Sequence, residues 1–236
     1  MISFIVPAYN EEVELPHSLA AIRAAAEEAN EKYEMIVVDD GSTDSTADLA
    51  RQSGARLVQV QRRQIAAARN AGAQIARGQI LFFVDADTRI SSSHVVDAIA
   101  ALNAGYSGGS ARVITDGVIP LWARLCVRVF CTVYFANNLG AGAFLFATRK
   151  NFDAIGGFDE KLFIGEEIYF SLALRKLGRF KILRAPILTS GRKLRIYSAA
   201  HILSRSLSIM LRGTRAARSR DKLELWYDGK RESHSA

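Results

Sequence analysis

Four consecutive apolar residues, Leu81-Phe82-Phe83-Val84, run straight into Asp85-Ala86-Asp87-Thr88. An uninterrupted apolar run of this kind fits a strand covered on both faces, as in a parallel sheet with helices on either side. In open α/β sheets, ligands bind beyond the carboxyl ends of the strands. Two carboxylates one residue apart at such an end repel each other unless a cation lies between them. Hard oxygen ligands select Mg²⁺ or Mn²⁺, and a divalent ion in turn suits a diphosphate. The competing reading is a helix N-cap, because Asp87 and Thr88 also precede a helical pattern beginning near Ser92.

The chain before this strand alternates strand and helix patterns, which argues for α/β architecture. Strand Ile2–Val6 leads through Pro7-Ala8-Tyr9-Asn10-Glu11-Glu12 into a helix whose Leu15, Leu19, Ile22 and Ala26 form an inward stripe. Strand Met35–Val38 runs into Asp39-Asp40-Gly41-Ser42-Thr43-Asp44, where Ser42 or Thr43 is expected to cap the next helix. Strand Arg56–Val60 follows, then a helix over Ala66–Arg77 with Gly78 as its expected C′ glycine. Right-handed crossovers place these first four strands in one parallel sheet.

The second half is less regular. A strand is expected over Tyr106–Ile114, with Gly108-Gly109 allowing close backbone approach to a ligand. A helix over Pro120–Phe135, a strand over Phe144–Ala147, a helix over Glu166–Leu177 and a strand over Phe180–Leu183 complete the pattern. No internal repeat or low-complexity linker interrupts it.

The net charge of +7 is uneven. Arg184 to Lys222 holds ten Lys/Arg against the single acid Asp221, a local balance of +9 that leaves the remainder at −2. Nucleic acid, an anionic membrane surface or a phosphorylated substrate would each suit such a segment. The only cysteines, Cys126 and Cys131, lie in apolar sequence without CxxC spacing, as buried free thiols in a reducing cytosol would. No apolar run reaches the roughly 18 residues of a membrane span, and the opening strand leaves no room for a cleavable leader. A cytoplasmic protein is expected, with peripheral attachment at the inner face of the membrane open to it.

Five pieces then occur in a familiar order: Ile5-Val6-Pro7-Ala8-Tyr9-Asn10-Glu11-Glu12, Ile36-Val37-Val38-Asp39-Asp40-Gly41-Ser42-Thr43-Asp44, Ala67-Ala68-Arg69-Asn70-Ala71-Gly72, Asp85-Ala86-Asp87, and Gly156-Gly157-Phe158-Asp159-Glu160 followed by Gly165-Glu166-Glu167. Over roughly residues 2–195 the chain resembles the family 2 glycosyltransferases. That resemblance implies an α/β fold of the GT-A type, a mostly parallel central sheet flanked by helices. It implies one domain over residues 1–200, with a nucleotide-sugar-binding half (1–105) and an acceptor half (106–200); beyond it, Ile202, Leu203, Leu207, Met210 and Leu211 at near-helical spacing, with Arg205 and Arg212 interleaved, mark a basic amphipathic extension over 201–236. It implies inverting transfer from a nucleotide-sugar donor to an acceptor hydroxyl with a divalent metal, and no nucleic-acid partner.

Residue by residue, Pro7, Ala8, Tyr9 and Glu11 fall on the donor side, where a flat base would rest against Tyr9. The family's second acid of the pair faces the base imide, which assigns Asp40 and tilts the donor toward UDP. One arginine among Arg62, Arg63 and Arg69 is expected at the diphosphate, Arg69 being the motif residue, and Arg192 is the preferred contact from the basic loop Ser190–Arg195. Asp87 is implied as direct metal ligand, and Asp85 as the contact to ribose or bound water that completes the metal site. Glu167 falls where the family carries its catalytic aspartate and so departs from the pattern by one methylene; Glu166 is the alternative base. The acceptor is unnamed by any residue, a lipid-linked saccharide being one candidate. The substitution at 167 keeps open a second reading, a non-catalytic nucleotide-sugar-binding protein on a degenerate version of the fold. A nucleotidyltransferase would need a glycine-rich basic loop after the first strand, and Ala8-Tyr9-Asn10-Glu11-Glu12 is acidic and lacks glycine.

Overall fold

A computed structural model describes residues 1–116, 134–135, 137–192 and 218. Apart from Tyr134, Phe135 and Arg218, the helix expected over 120–135, both cysteines and the basic segment beyond Arg192 lie outside the described residues. The described elements are β1 (Ile2–Ala8), α1 (Leu15–Glu28), β2 (Tyr33–Asp39), α2 (Thr46–Gln52), β3 (Arg56–Gln59), α3 (Ile65–Ile75), β4 (Ile80–Val84), β5 (Thr88–Arg89), α4 (Ser92–Asn103), β6 (Gly108–Thr115), β7 (Phe144–Thr148), α5 (Arg149–Ala154), α6 (Glu166–Leu177) and β8 (Phe180–Thr189).

One eight-stranded sheet runs in the order β3-β2-β1-β4-β7-β6-β8-β5. The first four strands are parallel, as the alternating pattern requires. β7 enters antiparallel between β4 and β6, and β6 pairs parallel with β8. The sheet is therefore mixed but mostly parallel. β1, β2 and β4 are buried on both faces, which explains their unbroken apolar runs. On one face Phe4 stacks on Phe82 at 5.0 Å between ring centroids, and Phe82 continues to Phe144 and Phe146, under α1 and α4. On the other, Phe83 meets Phe158 edge-on at 4.9 Å and Phe158 stacks on Phe170 at 4.2 Å, under α3, α5 and α6. This second cluster anchors α6 against β4 through Phe170, whose ring meets Phe83 edge-on at 6.0 Å.

α3 lies unusually close to the sheet. A Cβ at Gly72 would sit 2.5 Å from Ile5 Cγ2 and 2.9 Å from Val38 Cγ2. Gly72→Ala is expected to destabilise by about 1–3 kcal/mol through overpacking, read as a lower urea midpoint with an unchanged m-value.

Four local expectations are corrected. α2 starts at Thr46 after Ser45, because Ser42 and Thr43 are bound to the β1–α1 loop instead. Gly78 is not a left-handed C′ residue; a Cβ there would strike the Ser3 backbone N at 2.7 Å, so close approach to β1 is what requires glycine. Gly108 and Gly109 approach Phe146 and the Lys181 carbonyl rather than a ligand surface. Asp87 and Thr88 do not cap α4; Ser91 does, its N–H donating to His94 Nδ1 at 3.0 Å.

Candidate active site

The loops that leave β1 and β2 at the sheet's carboxyl edge are laced together. Asn10, in the left-handed region at φ 51°, donates its N–H to Ser42 Oγ at 2.9 Å and accepts the Thr43 N–H at Oδ1 at 2.8 Å. Asparagine tolerates that conformation better than most residues. Glu11 N–H donates to Thr46 Oγ1 at 2.8 Å. Pro7 and Ala8 supply the last rungs of β1, and the Asp40 N–H extends the ladder to the Ala8 carbonyl at 2.9 Å.

Asp39 and Asp40 leave β2 with opposite duties. Asp39 accepts the Ser42 N–H and, at 3.3 Å, the Gln59 amide, and it lines a cleft of about 520 Å³ with Gly41, Ser42, Thr43 and Gln59–Gln61. Asp40 accepts three backbone N–H groups, from Arg62 and Arg63 at Oδ1 and from Gln64 at Oδ2, at 2.7–2.8 Å. It thus fixes the entry to α3, where Gln64 is the N-cap. Three donors leave about one of a carboxylate's four acceptor positions. Arg63 places its guanidinium 3.2 Å from the Tyr9 ring centroid, over the aromatic face expected to receive a base.

Each carboxylate at the end of β4 has its own arginine. Asp85 Oδ1 pairs with Arg69 Nη2 at 2.9 Å, and Arg69 Nη1 reaches Glu166 Oε1 at 2.9 Å. Asp87 Oδ2 faces Arg192 Nη2 at 3.3 Å, while Arg192 binds Glu11 with both nitrogens at 2.5 and 2.6 Å. Thr189 Oγ1 donates to Asp87 Oδ1 at 3.3 Å. Sequence reasoning aims Arg69 and Arg192 at a diphosphate. In the structure Arg69 is 1% exposed and turned between carboxylates, and Arg192 is buried on Glu11. Burial works against the charge of Arg192, but Glu11, Asp87 and Glu14 outweigh it and hold its pKa above the ordinary value.

Asp85 keeps a third of its side chain accessible. Loss of hydration nevertheless pushes its carboxyl up to about 6; Arg69 opposes the rise, and Asp87 and Glu166 add to it. Two neighbouring carboxylates at one strand end make a site for positive charge. The donor set is all oxygen, and Arg192 already stands against Asp87 as a cation would. Among the described residues no cluster of three or more ligating side chains forms. A hard ion held by one or two carboxylates, with phosphates and water completing its shell, fits that set.

α6 begins at Gly165, whose φ of 76° suits glycine, and carries Glu166 and Glu167 in its first turn. Glu166 is buried and committed to Arg69. Glu167 has no described side chain bonded to its carboxylate. Burial first, then the neighbouring Glu166, raise its pKa to about 8, against the pull of Arg69. Of the two glutamates, Glu167 is the one whose carboxylate takes its own backbone N–H and no arginine.

Two residues that hold this site, Asn70 and Gln64, carry no role in the sequence, and a third, Glu11, is expected only on the donor side. Asn70 clamps the turn before α6, accepting the Phe158 N–H and donating to the Phe158 carbonyl, both at 2.9 Å. Gln64 donates to the carbonyls of Glu160 and Leu162. Glu11 anchors Arg192. Asn70 lies within the Ala67–Gly72 piece, so its position was visible although its role was not.

Over 113 residues the chain is 33% identical to the undecaprenyl-phosphate 4-deoxy-4-formamido-L-arabinose transferase of Aeromonas hydrophila subsp. hydrophila, covering 45% of this chain and 35% of that protein. Over 107 residues it is 33% identical to the validoxylamine A glucosyltransferase of Streptomyces hygroscopicus subsp. limoneus, covering 43% and 23%. The matched stretch thus spans about a third or less of these relatives' lengths. The fold superposes on S. aureus TarS 1–349 in complex with UDP-GlcNAc with a TM-score of 0.63 at 19% identity, covering 97% of this chain and 71% of that one. It superposes on the mannosyltransferase PcManGT of Pyrobaculum calidifontis, in complex with GDP-Man and Mn2+, with a TM-score of 0.66 at 20% identity, covering 97% and 68%. The architecture is that of the GT-A glycosyltransferases. The family description Glycosyl transferase family 2 matches residues 3–159, and the chain belongs to that family.

Proposed function

We propose that the chain is an inverting glycosyltransferase that takes a sugar from a nucleoside diphosphate and delivers it to an acceptor hydroxyl, with Glu167 as general base. The observation that carries this reading is the division of labour among the carboxylates. Asp85 and Asp87 gather negative charge at the end of β4, Glu166 is spent on Arg69, and Glu167 is left with a raised pKa and a carboxylate that no described side chain holds. A base with its pKa near neutrality combines the deprotonated form with useful proton affinity. Attack from the side opposite the leaving diphosphate inverts the sugar carbon.

Asp87, with Asp85 beside it, would hold Mg²⁺ or Mn²⁺, which when bound offsets the charge that builds on the departing diphosphate. Asp40 retains an acceptor position suited to a uracil N3–H, and this favours UDP. The two structural relatives carry UDP-GlcNAc and GDP-Man, so the base rests on Asp40 rather than on them. Tyr9 receives the base by stacking, with Arg63 lying over it or moving aside. Pro7, Ala8 and Glu11 frame this edge, and Arg192 is close enough to Asp87 to turn toward a diphosphate.

A thermal-shift screen of nucleoside diphosphates and nucleotide sugars, with and without Mn²⁺, tests the reading. A ligand at 100 times its Kd adds about 2.7 kcal/mol, roughly 5–10 °C for a chain of this size. The expected pattern is a uridine-specific shift that needs Mn²⁺. No shift with any nucleotide under either condition contradicts it.

The acceptor is proposed to be lipid-linked. The Aeromonas relative is named for undecaprenyl phosphate, and the basic segment 184–222 suits an anionic cytoplasmic membrane face. Among the described residues no helix is long and apolar enough to cross a membrane. Each surface cation near anionic lipid contributes on the order of 1 kcal/mol. The full chain is therefore expected to pellet with phosphatidylserine-containing vesicles at low salt, to leave them as salt rises, and to ignore neutral vesicles.

A further inference from the structure

Arg69 is an odd residue to bury. It is 1% exposed, two of its nitrogens hold Asp85 and Glu166, and its Nε lacks a hydrogen-bond partner. Buried ion pairs of this kind are poor sources of stability, because desolvation offsets most of the attraction. What the guanidinium does supply is geometry. Its Nη2 also donates to the Gly142 carbonyl at 2.9 Å, and its Cζ lies 5.2 Å from the Phe158 ring centroid. A single planar fork thus ties together the end of β4, the loop before β7 and the first turn of α6. Its own base is rigid: Gly72 seats α3 on the sheet and Asn70 clamps the Phe158 turn.

We propose that Arg69 is a positioning residue of the transfer reaction, setting the place of Glu167 relative to Asp85 by holding the adjacent Glu166, and that it does not touch the donor. The inference rests on the reading of Glu167 as base. Glu166 and Glu167 share the first turn of α6, so fixing one carboxylate fixes the backbone that carries the other. Lysine cannot replace this function fully, since one ammonium does not present the paired, planar donors of a guanidinium. A misplacement of about 1 Å in such an arrangement costs roughly 10²-fold in rate.

The test measures release of UDP from UDP-GlcNAc with Mn²⁺, and UDP affinity by calorimetry, in Arg69→Met, Arg69→Lys and Glu166→Gln, and in Arg69→Met combined with Glu167→Gln. Arg69→Met is expected to lower kcat by roughly 10²-fold while the Kd for UDP stays within about threefold, and Arg69→Lys to recover part of the loss. In the Glu167→Gln background the same Arg69→Met change should cost less than about threefold, because residues acting through one another are not additive. Should Arg69→Met fail to fold by circular dichroism, Glu166→Gln carries the test, with a lower kcat at unchanged UDP affinity expected. The proposal is overturned by an unchanged kcat, by UDP affinity falling in step with kcat, or by a loss that adds in full to that of Glu167→Gln. Full turnover in Glu167→Gln alone refutes the base assignment instead, and absence of turnover in the wild type refutes the reading of the site and this inference with it.

Discussion

Glu167→Gln is expected to lower turnover by roughly 10²–10⁴-fold while donor affinity is retained. The substitution keeps the shape of the side chain and removes only its ability to take a proton. Its pH behaviour separates this loss from a general disturbance. A base works deprotonated, and burial beside Glu166 raises the Glu167 pKa to about 8 in the unliganded protein. The wild-type kcat/KM should therefore climb with pH from 6 toward 8 and level off above, since that ratio reports the free protein. A bound divalent cation near Asp85 draws the limb downward, because positive charge favours the ionised form. In Glu167→Gln the limb should vanish from the residual rate. Stability should move the opposite way. The folded pKa lies above the unfolded value, so between about 4.5 and 8 the folded state binds the extra proton and stability declines as pH rises through that window. Glu167→Gln removes this penalty and should melt higher than wild type at pH 8. Loss of activity with a gain in melting temperature is what a strained catalytic group predicts.

Asp87→Ala should abolish metal-dependent donor binding and leave the fold intact. Asp87 stands in the turn between β4 and β5, outside both apolar clusters, so the substitution opens no core cavity. It also releases Arg192 from Asp87 but not from Glu11, which binds Arg192 through both carboxylate oxygens. Calorimetry of UDP with and without Mn²⁺ reads the effect directly: the Mn²⁺-dependent part of the affinity should disappear. If the variant binds UDP with unchanged Mn²⁺ dependence, Asp87 is not the metal ligand. The apolar strand that delivers Asp87 has no bearing on that outcome.

The parts of this architecture that sequence makes visible are those set by short-range pattern. Leu81-Phe82-Phe83-Val84 reads as a doubly covered strand because both faces are buried, and the two acids mark its end. The inward stripe of α1 is equally plain, Leu15, Leu19, Ile22 and Ala26 all being buried. The antiparallel entry of β7 was not visible, since a short apolar run carries no sign of its direction. Gly78 looked like a helix end because glycine is frequent there, yet its reason is contact with a strand 75 residues earlier. The site divides in the same way. Asp85, Asp87, Glu166 and Glu167 were found as local motifs. The ion pairs that hold the arginines beside them, Arg69 with Glu166 at a separation of 97 residues and Arg192 with Glu11 at 181, have no local signature. Both arginines are aimed at a diphosphate by the family resemblance, and the fold gives both of them carboxylate partners. Asp40 shows the converse, a residue read as a base selector that also holds the entrance of α3.

This edge of the sheet is expected to break the bond between a sugar and a nucleoside diphosphate with the help of a divalent cation. Release of UDP from uridine diphosphate sugars, followed by anion-exchange chromatography with Mn²⁺ and again with EDTA, tests it most directly. Water then stands in for the acceptor, so the acceptor need not be known. The expected result is slow release of UDP with Mn²⁺ that stops with EDTA and in Asp87→Ala. Tight binding of the nucleotide sugar with no release under either condition would contradict the claim and leave a nucleotide-sugar-binding protein on a transferase fold.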